Sequence, residues 1–177
     1  NQKNIYPTPV IGGVGLIKKI NNPINSFFQQ ENNPVLLIGK TFGHLFQSIF
    51  FEEIYSIKDG PPPEINLSNE KNNGDIVLKL INDGLILSAH DISAGGLIVA
   101  LAEMTFGSSC GIKINKPKKL ANIFEYFFGE DQGRYVLEVR QDDITKVLKI
   151  LKDNNIYNET VGLTQKNTFE LPGELKI

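Results

Sequence analysis

The sequence predicts a layered α/β domain, of the α+β kind in which helices pack on a sheet, and three observations predict it. Short apolar runs of strand length, such as Val35-Leu-Leu-Ile38, are closed by glycine or polar residues. The segments between them carry apolar residues at helical spacing. The 177 residues, with 41% apolar and 21% charged side chains, are enough for one sizeable core. Helices alternating with about six short strands fit a domain built in layers. The order of strands in the sheet is not legible.

Residues 1–33 carry prolines at 7, 9 and 23 and the Gly12-Gly13 pair, and read as an extended entry segment with a turn. The run from Val35 to Ile38, stopped by Gly39, is a buried strand. A loop follows, then a helix from about Ser48 to Tyr55, ended before the Gly60-Pro-Pro-Pro63 run because proline lacks a backbone donor. A second helix spans Ser68 to Asn82, with Ile76, Val77, Leu80 and Ile81 on one face and Gly84 as its stop. Leu85 to Ser88 is a strand that enters the loop Ala89–Gly96, and a helix continues to Met104. Gly111 to Ile114 is the next strand, and Leu120, Ile123, Phe124, Phe127 and Phe128 mark a helix whose apolar face is core. Arg134 to Val139 alternates as a half-buried strand, and Ile144, Val147, Leu148 and Leu151 mark the last helix. Two strands close the chain, around Val161 and Phe169.

Eighteen basic and 20 acidic residues give a net charge of -2, so no long-range field marks nucleic acid or a membrane surface as partner. The one cysteine, Cys110, cannot close an intramolecular disulfide, nor, with only His44 and His90, make a zinc site. It reads as a packed, reduced thiol of a cytoplasmic protein. No apolar run approaches the roughly 20 residues of a membrane span. A first residue Asn1 and a last residue Ile177 suggest one domain, 1–177, cut from a longer polypeptide.

The segment Ser88–Leu97, SAHDISAGGL, carries the most chemistry. A strand ending in a glycine-containing loop that opens a helix leaves backbone N–H groups unpaired at the helix start, where the dipole favours an anion. Gly95 and Gly96 would let a phosphate approach the backbone, His90 could donate to it, Asp91 could hold magnesium or cap the helix, and Ser93 could cap or touch a ligand. The same residues also suit an ordinary helix start with no ligand at all. His44, in a glycine-flanked loop, is expected to face solvent.

Five segments in order, TPVIGGVG (8–15), GPPPEINL (60–67), NGD (73–75), SAHDISAGGLIVALAEM (88–104) and FGEDQGRY (128–135), resemble the last domain of the phosphoribosylformylglycinamidine synthase family. That family lies within the aminoimidazole-ribonucleotide-synthetase superfamily, whose members pair a smaller N-terminal domain with an α/β C-terminal domain; the mixed sheet of the latter is the fold implied here. Selenophosphate synthetase and thiamine-monophosphate kinase are relatives with a comparable Asp, Ser/Thr and Gly-Gly-Leu loop and mark the alternative within the superfamily. A noncatalytic scaffold domain is the alternative outside it.

The resemblance implies ATP activating the amide oxygen of formylglycinamide ribonucleotide, followed by displacement of phosphate by ammonia from a glutaminase subunit. It implies ATP and Mg²⁺ as cofactors of the complete enzyme, and as partners the preceding domains, the glutaminase and a small accessory subunit. The family's catalytic histidine and most of its metal carboxylates lie in preceding domains, so no catalytic residue is expected in this chain and the chain alone is expected to be inactive. The nucleotide or phosphate candidates are His90, Asp91, Ser93, Gly95 and Gly96; no metal ligand set is assigned. Glu130, Asp131 and Gln132 match a segment that contacts substrate in the family's first C-terminal domain, and a surface pair of Arg134 with Glu130 is the structural alternative there. Two residues depart from the pattern: Phe46, where the family usually has glycine, and Ala94, in place of a frequent acidic residue. A domain of this kind exposes surface that packs on its neighbour, with Val10, Ile11, Val14 and Leu16 as candidates and self-association as the consequence.

Overall fold

The computed structural model describes residues 11–16, 24–117 and 122–173. Six strands and five helices follow one another as β1 (Pro34–Ile38), α1 (Ile49–Tyr55), α2 (Leu67–Asn82), β2 (Ile86–Asp91), α3 (Gly96–Phe106), β3 (Cys110–Ile114), α4 (Ile123–Phe128), β4 (Tyr135–Val139), α5 (Ile144–Asp153), β5 (Asn158–Lys166) and β6 (Phe169–Glu170). The strands form one sheet in the order β2-β4-β1-β5-β3-β6. Every pairing is antiparallel except β3 with β6, so the sheet is mixed, as expected.

The two-residue period of β1 explains the layers. Val35 and Leu37 point into a core with Leu97, Leu101 and Met104 of α3 and Tyr126 and Phe127 of α4. Leu36 and Ile38 point the other way, into a core with Ile76, Val77 and Leu80 of α2 and Val147 and Leu151 of α5. Helices therefore cover both faces of a strand buried along its whole length. Phe28, from the expected entry segment, joins the first core at 1% exposure, and its N–H donates to the Met104 carbonyl at 2.8 Å. That segment is thus anchored at its end; Ile11, Val14 and Leu16 are exposed as expected, and Val10 lies outside the described residues.

Helix ends follow the side chains available. Ser48 caps α1 by accepting from Phe51 N–H at 3.2 Å, and Asn66 caps α2 by accepting from Asn69 N–H at 2.9 Å. Asn122 caps α4 through Phe124 N–H at 2.9 Å. Leu120 of the expected aromatic helix lies outside the described residues.

One departure bears on the site. The expected loop 89–96 begins later, because Ala89, His90 and Asp91 pair with Leu137, Val136 and Tyr135 and extend β2. Polar residues at a sheet edge read as loop, but the ladder to β4 holds them in the strand.

A buried carboxylate ties the end of the entry segment to this edge. Glu138 of β4 is 0% exposed, and its two oxygens accept from Gln29 N–H, Gln30 N–H, Asn33 Nδ2 and Ser88 Oγ at 2.7–3.0 Å. A buried polar side chain is accommodated where its acceptor sites are filled in this way.

Candidate functional site

His90, Asp91, Ser93, Gly95 and Gly96 lie together at the end of β2 and the start of α3. The His90 ring is half-buried; its Nδ1 lies 2.6 Å from the Asp91 carbonyl oxygen and its Nε2 lies 3.3 Å from Glu103 Oε2 on α3. Asp91 is exposed along 70% of its side chain and Ser93 is exposed. Neither caps the helix: the N-cap is Gly95, with no side-chain cap bond from its own segment.

Two of the backbone donors here already have acceptors within the chain. Gly95 N–H donates to Glu130 Oε1 at 2.8 Å, and Gly96 N–H donates to the Ser93 carbonyl at 3.1 Å. Gly96 also has a packing reason. A Cβ on Gly96 would lie 2.7 Å from the Phe127 carbonyl oxygen and 2.8 Å from that of Gly129, and its φ of +72° is one that side chains disfavour. α3 starts this close to the end of α4 only because no side chain stands between them.

The segment after α4 supplies a second group of candidates, two of which meet backbone donors of other segments. Besides Gly95 N–H, Glu130 Oε1 accepts Ile49 N–H at 2.8 Å, so one carboxylate closes the starts of α1 and α3. Asp131, 5% exposed, accepts three consecutive backbone donors, from Phe42 at 2.9 Å, Gly43 at 3.0 Å and His44 at 3.2 Å. Successive amides converging on one anion form a nest, here filled by the protein's own carboxylate. Gln132 is exposed.

The expected surface pair of Arg134 with Glu130 is not present. Arg134 is 1% exposed; its guanidinium donates to the Thr41 hydroxyl at 3.0 Å, to the Asp131 carbonyl at 3.2 Å and to the Gly129 carbonyl. The carboxylate nearest to it is Asp131, at 3.9 Å. Burial pulls the guanidinium below its ordinary pKa, and Asp131 opposes that pull. Sequence reading missed this core because the Arg134 contacts run to 41 and 129 through a turn that spacing does not reveal.

The loop held by Asp131 borders a sizeable hollow. A cavity of about 570 Å³ opens between residues 42–46, Phe51, the segment 64–69 and Glu125. A polar one of about 400 Å³ adjoins it across Phe42, Glu64, Asn66 and Asn69 and reaches Lys40, Gln132 and Tyr157. His44 is half-buried in the wall of the first, with Nε2 3.1 Å from the Pro61 carbonyl oxygen, rather than facing solvent. Of the predicted residues only Asp131 and Gln132 border these hollows; the 90–96 loop does not.

Residues 30–168 match the family model for AIR synthase related protein, C-terminal domain. The chain is 48% identical over 173 residues to the phosphoribosylformylglycinamidine synthase subunit PurL of Pelagibacter ubique (strain HTCC1062), covering 98% of this chain and 24% of that protein. It is 40% identical over 172 residues to the PurL subunit of Rhodopseudomonas palustris (strain BisB5), covering 97% and 23%. The chain thus spans about a quarter of the length of these curated relatives. Among solved structures it resembles Thermotoga maritima PurL complexed with FGAR, with a TM-score of 0.70 at 18% identity over 81% of this chain and 25% of that one. It also resembles PurLQS from the same organism, with a TM-score of 0.61 at 19% identity over 81% and 24%.

Proposed function

The chain belongs to the AIR synthase related protein C-terminal domain family, and we propose that it forms the last domain of the synthetase subunit of a phosphoribosylformylglycinamidine synthase. The observation that carries this reading is the 48% identity to a PurL subunit along 98% of the chain. The reaction would join ammonia to formylglycinamide ribonucleotide at the expense of ATP, giving formylglycinamidine ribonucleotide, ADP and phosphate in purine biosynthesis. The preceding domains, a glutaminase and a small accessory subunit would be its partners, in the cytoplasm. Among the described residues no helix is long and apolar enough to cross a membrane.

Within that enzyme the chain would act as one wall. The exposed carboxylate of Asp91, the hydroxyl of Ser93 and the His90 ring are the groups it could turn toward a nucleotide, while Gly96 lets the start of α3 lie against the end of α4 and Gly95 leaves room for Val99. Glu130 and Asp131 would hold the wall's loops in place, and Gln132 would be the member of its segment able to reach a ligand. Asp91 is the carboxylate of this loop that could serve as one magnesium ligand, beside carboxylates of the preceding domains. Phosphoryl transfer needs nucleotide, magnesium and nucleophile positioned together, and one wall cannot do that alone.

The test is an exchange of domains. Grafted in place of the matching quarter of the Pelagibacter ubique subunit, the chain should support amidine formation from ATP, magnesium, formylglycinamide ribonucleotide and ammonia, while the chain alone gives none above a mock purification. A folded graft without turnover, or turnover by the chain alone, would sink the reading.

A further inference from the structure

The 570 Å³ cavity has two unlike sides. One is aromatic: His44, Phe46 and Phe51 stand in sequence, with ring centroids 6.1 Å apart for the first pair and 5.6 Å apart, edge to face, for the second, and Phe42 at the mouth is 75% exposed. The opposite side offers acceptors. Glu64 and Asn69 line it, and among the described residues neither side chain makes a hydrogen bond. Glu125 and Asp131 also border it, and among the described residues no lysine or arginine does.

The aromatic side is fixed in advance. Gln47 Nε2 donates to the Gly60 carbonyl, and His44 Nε2 lies 3.1 Å from the Pro61 carbonyl oxygen, so two side chains tie the 44–47 turn to the 60–61 turn. The Phe46 ring lies flat over Gly60, where any Cβ would meet it at 2.4 Å. Rigid aromatic walls bind planar ligands with little ordering cost, whereas acceptors without a cation repel anions.

We infer that this cavity is a binding site for a neutral planar heteroaromatic ligand bearing amino N–H donors, of the aminopurine class. The ring lies on Phe46 and Phe42 and the amino group faces Glu64 and Asn69. None of residues 90–96 lines this cavity, so the site is distinct from the nucleotide wall proposed there, and the inference stands without the synthase reading.

Adenine, hypoxanthine and orotate, titrated into the chain and followed by amide chemical shifts and calorimetry, test it. Adenine should bind and shift amides in 42–46 and 64–69. Hypoxanthine, with an oxygen in place of the amino group, should bind several-fold more weakly. The anionic orotate should bind weakest. Phe46→Gly should weaken adenine roughly tenfold through loss of one stacking face, and Glu64→Gln should shrink the gap between adenine and hypoxanthine. Circular dichroism melts identify variants that remain folded, and Phe46→Leu, which keeps the bulk without the aromatic face, should weaken adenine as Phe46→Gly does. No adenine-dependent shift in these segments, orotate binding as tightly as adenine, or folded Phe46→Gly and Phe46→Leu proteins with unchanged affinity would each overturn the inference.

Discussion

Glu130 and Gly95 stand 35 positions apart in the chain and are joined by a hydrogen bond of 2.8 Å from the Gly95 N–H to Glu130 Oε1. The same oxygen accepts from Ile49, so α1 and α3 begin at one carboxylate that belongs to neither. Helix starts need acceptors for their free N–H groups, and here a distant acid supplies what local Ser, Asp or Asn supplies elsewhere. Glu130→Ala should therefore cost about 1–3 kcal/mol, as loss of a charged acceptor for two backbone donors does, and should raise hydrogen exchange at both Ile49 and Gly95. An unchanged urea midpoint with protection intact at both amides would show the carboxylate to be dispensable.

Gly96 tests packing against ligand binding. A Cβ there meets backbone at 2.7 Å, which cannot move aside as a side chain can, so even Gly96→Ala should destabilise the chain by about 1–3 kcal/mol. His90→Ala and Asp91→Asn should leave the melting temperature within a few degrees, since Asp91 is exposed and His90 sits at the sheet edge. In a full-length subunit the latter two therefore report on nucleotide retention without confusion from unfolding. A Gly96→Ala chain as stable as the parent would refute the close approach of α3 to α4.

Glu138 should tolerate no neutral substitute. Its oxygens meet four donors, so Glu138→Gln turns an amide NH₂ toward at least one of them and should cost about 1–3 kcal/mol; Glu138→Ala leaves all four without an acceptor and should cost more. Ser88→Ala, which removes one donor of the four, is expected to be the mildest. Chemical denaturation of the three variants checks the order, and an inverted order would contradict the network.

Much of the architecture was legible in the sequence, and the illegible part has a common cause. Val35–Ile38, the face of Ile76, Val77 and Leu80, and the run from Leu97 to Met104 express their partners through their own period, so their elements were found within a residue or two. Gly84 and Ser48 announce helix ends locally. What could not be read depends on residues far apart in the chain: the strand order, the burial of Arg134 against Thr41, and the capping of α3 by Glu130. The pattern at Ser88–Gly96 suggests an anion site because open N–H groups are inferred from the helix start alone, and only the fold reveals that Glu130 already meets one of them.

Alkaline pH should weaken the fold through Tyr126. Burial is the main cause of a raised phenol pKa, with Glu159 adding to it, against an ordinary value of 10.0. The folded chain then keeps a proton that the unfolded chain releases near pH 10, so the stability tied to it is whole below that pH and falls as pH rises above it. Tyr135 and Tyr157 shift in the same direction for the same main reason. Tyr126→Phe removes one titrating group and should flatten the decline by up to about 1.4 kcal/mol per pH unit. Urea unfolding between about pH 8 and about pH 11 checks this; equal slopes in both proteins would mean the phenol ionises alike in the folded and unfolded chain.

Asp131 carries the most local consequence, because its carboxylate accepts from three successive amides, Phe42, Gly43 and His44, and it neighbours the buried Arg134. Removing it does two things at once. The amides of 42–44 lose their anion, and Arg134 keeps its burial while losing the nearest opposing charge. A buried charge left without its partner is the costlier of these, of the order of 3–5 kcal/mol. Asp131→Ala should therefore be strongly destabilising or fail to fold. Asp131→Asn keeps one oxygen for the nest and should fold, with a lower melting temperature and faster exchange at 42–44 than at the α2 amides Val77 and Leu80, which lie in the opposite core. The Phe42 wall moves with that loop, so adenine affinity should fall in Asp131→Asn although the mutated group is engaged by backbone and not by ligand. Exchange at 42–44 equal to the parent's would mean the loop is held by something other than this carboxylate.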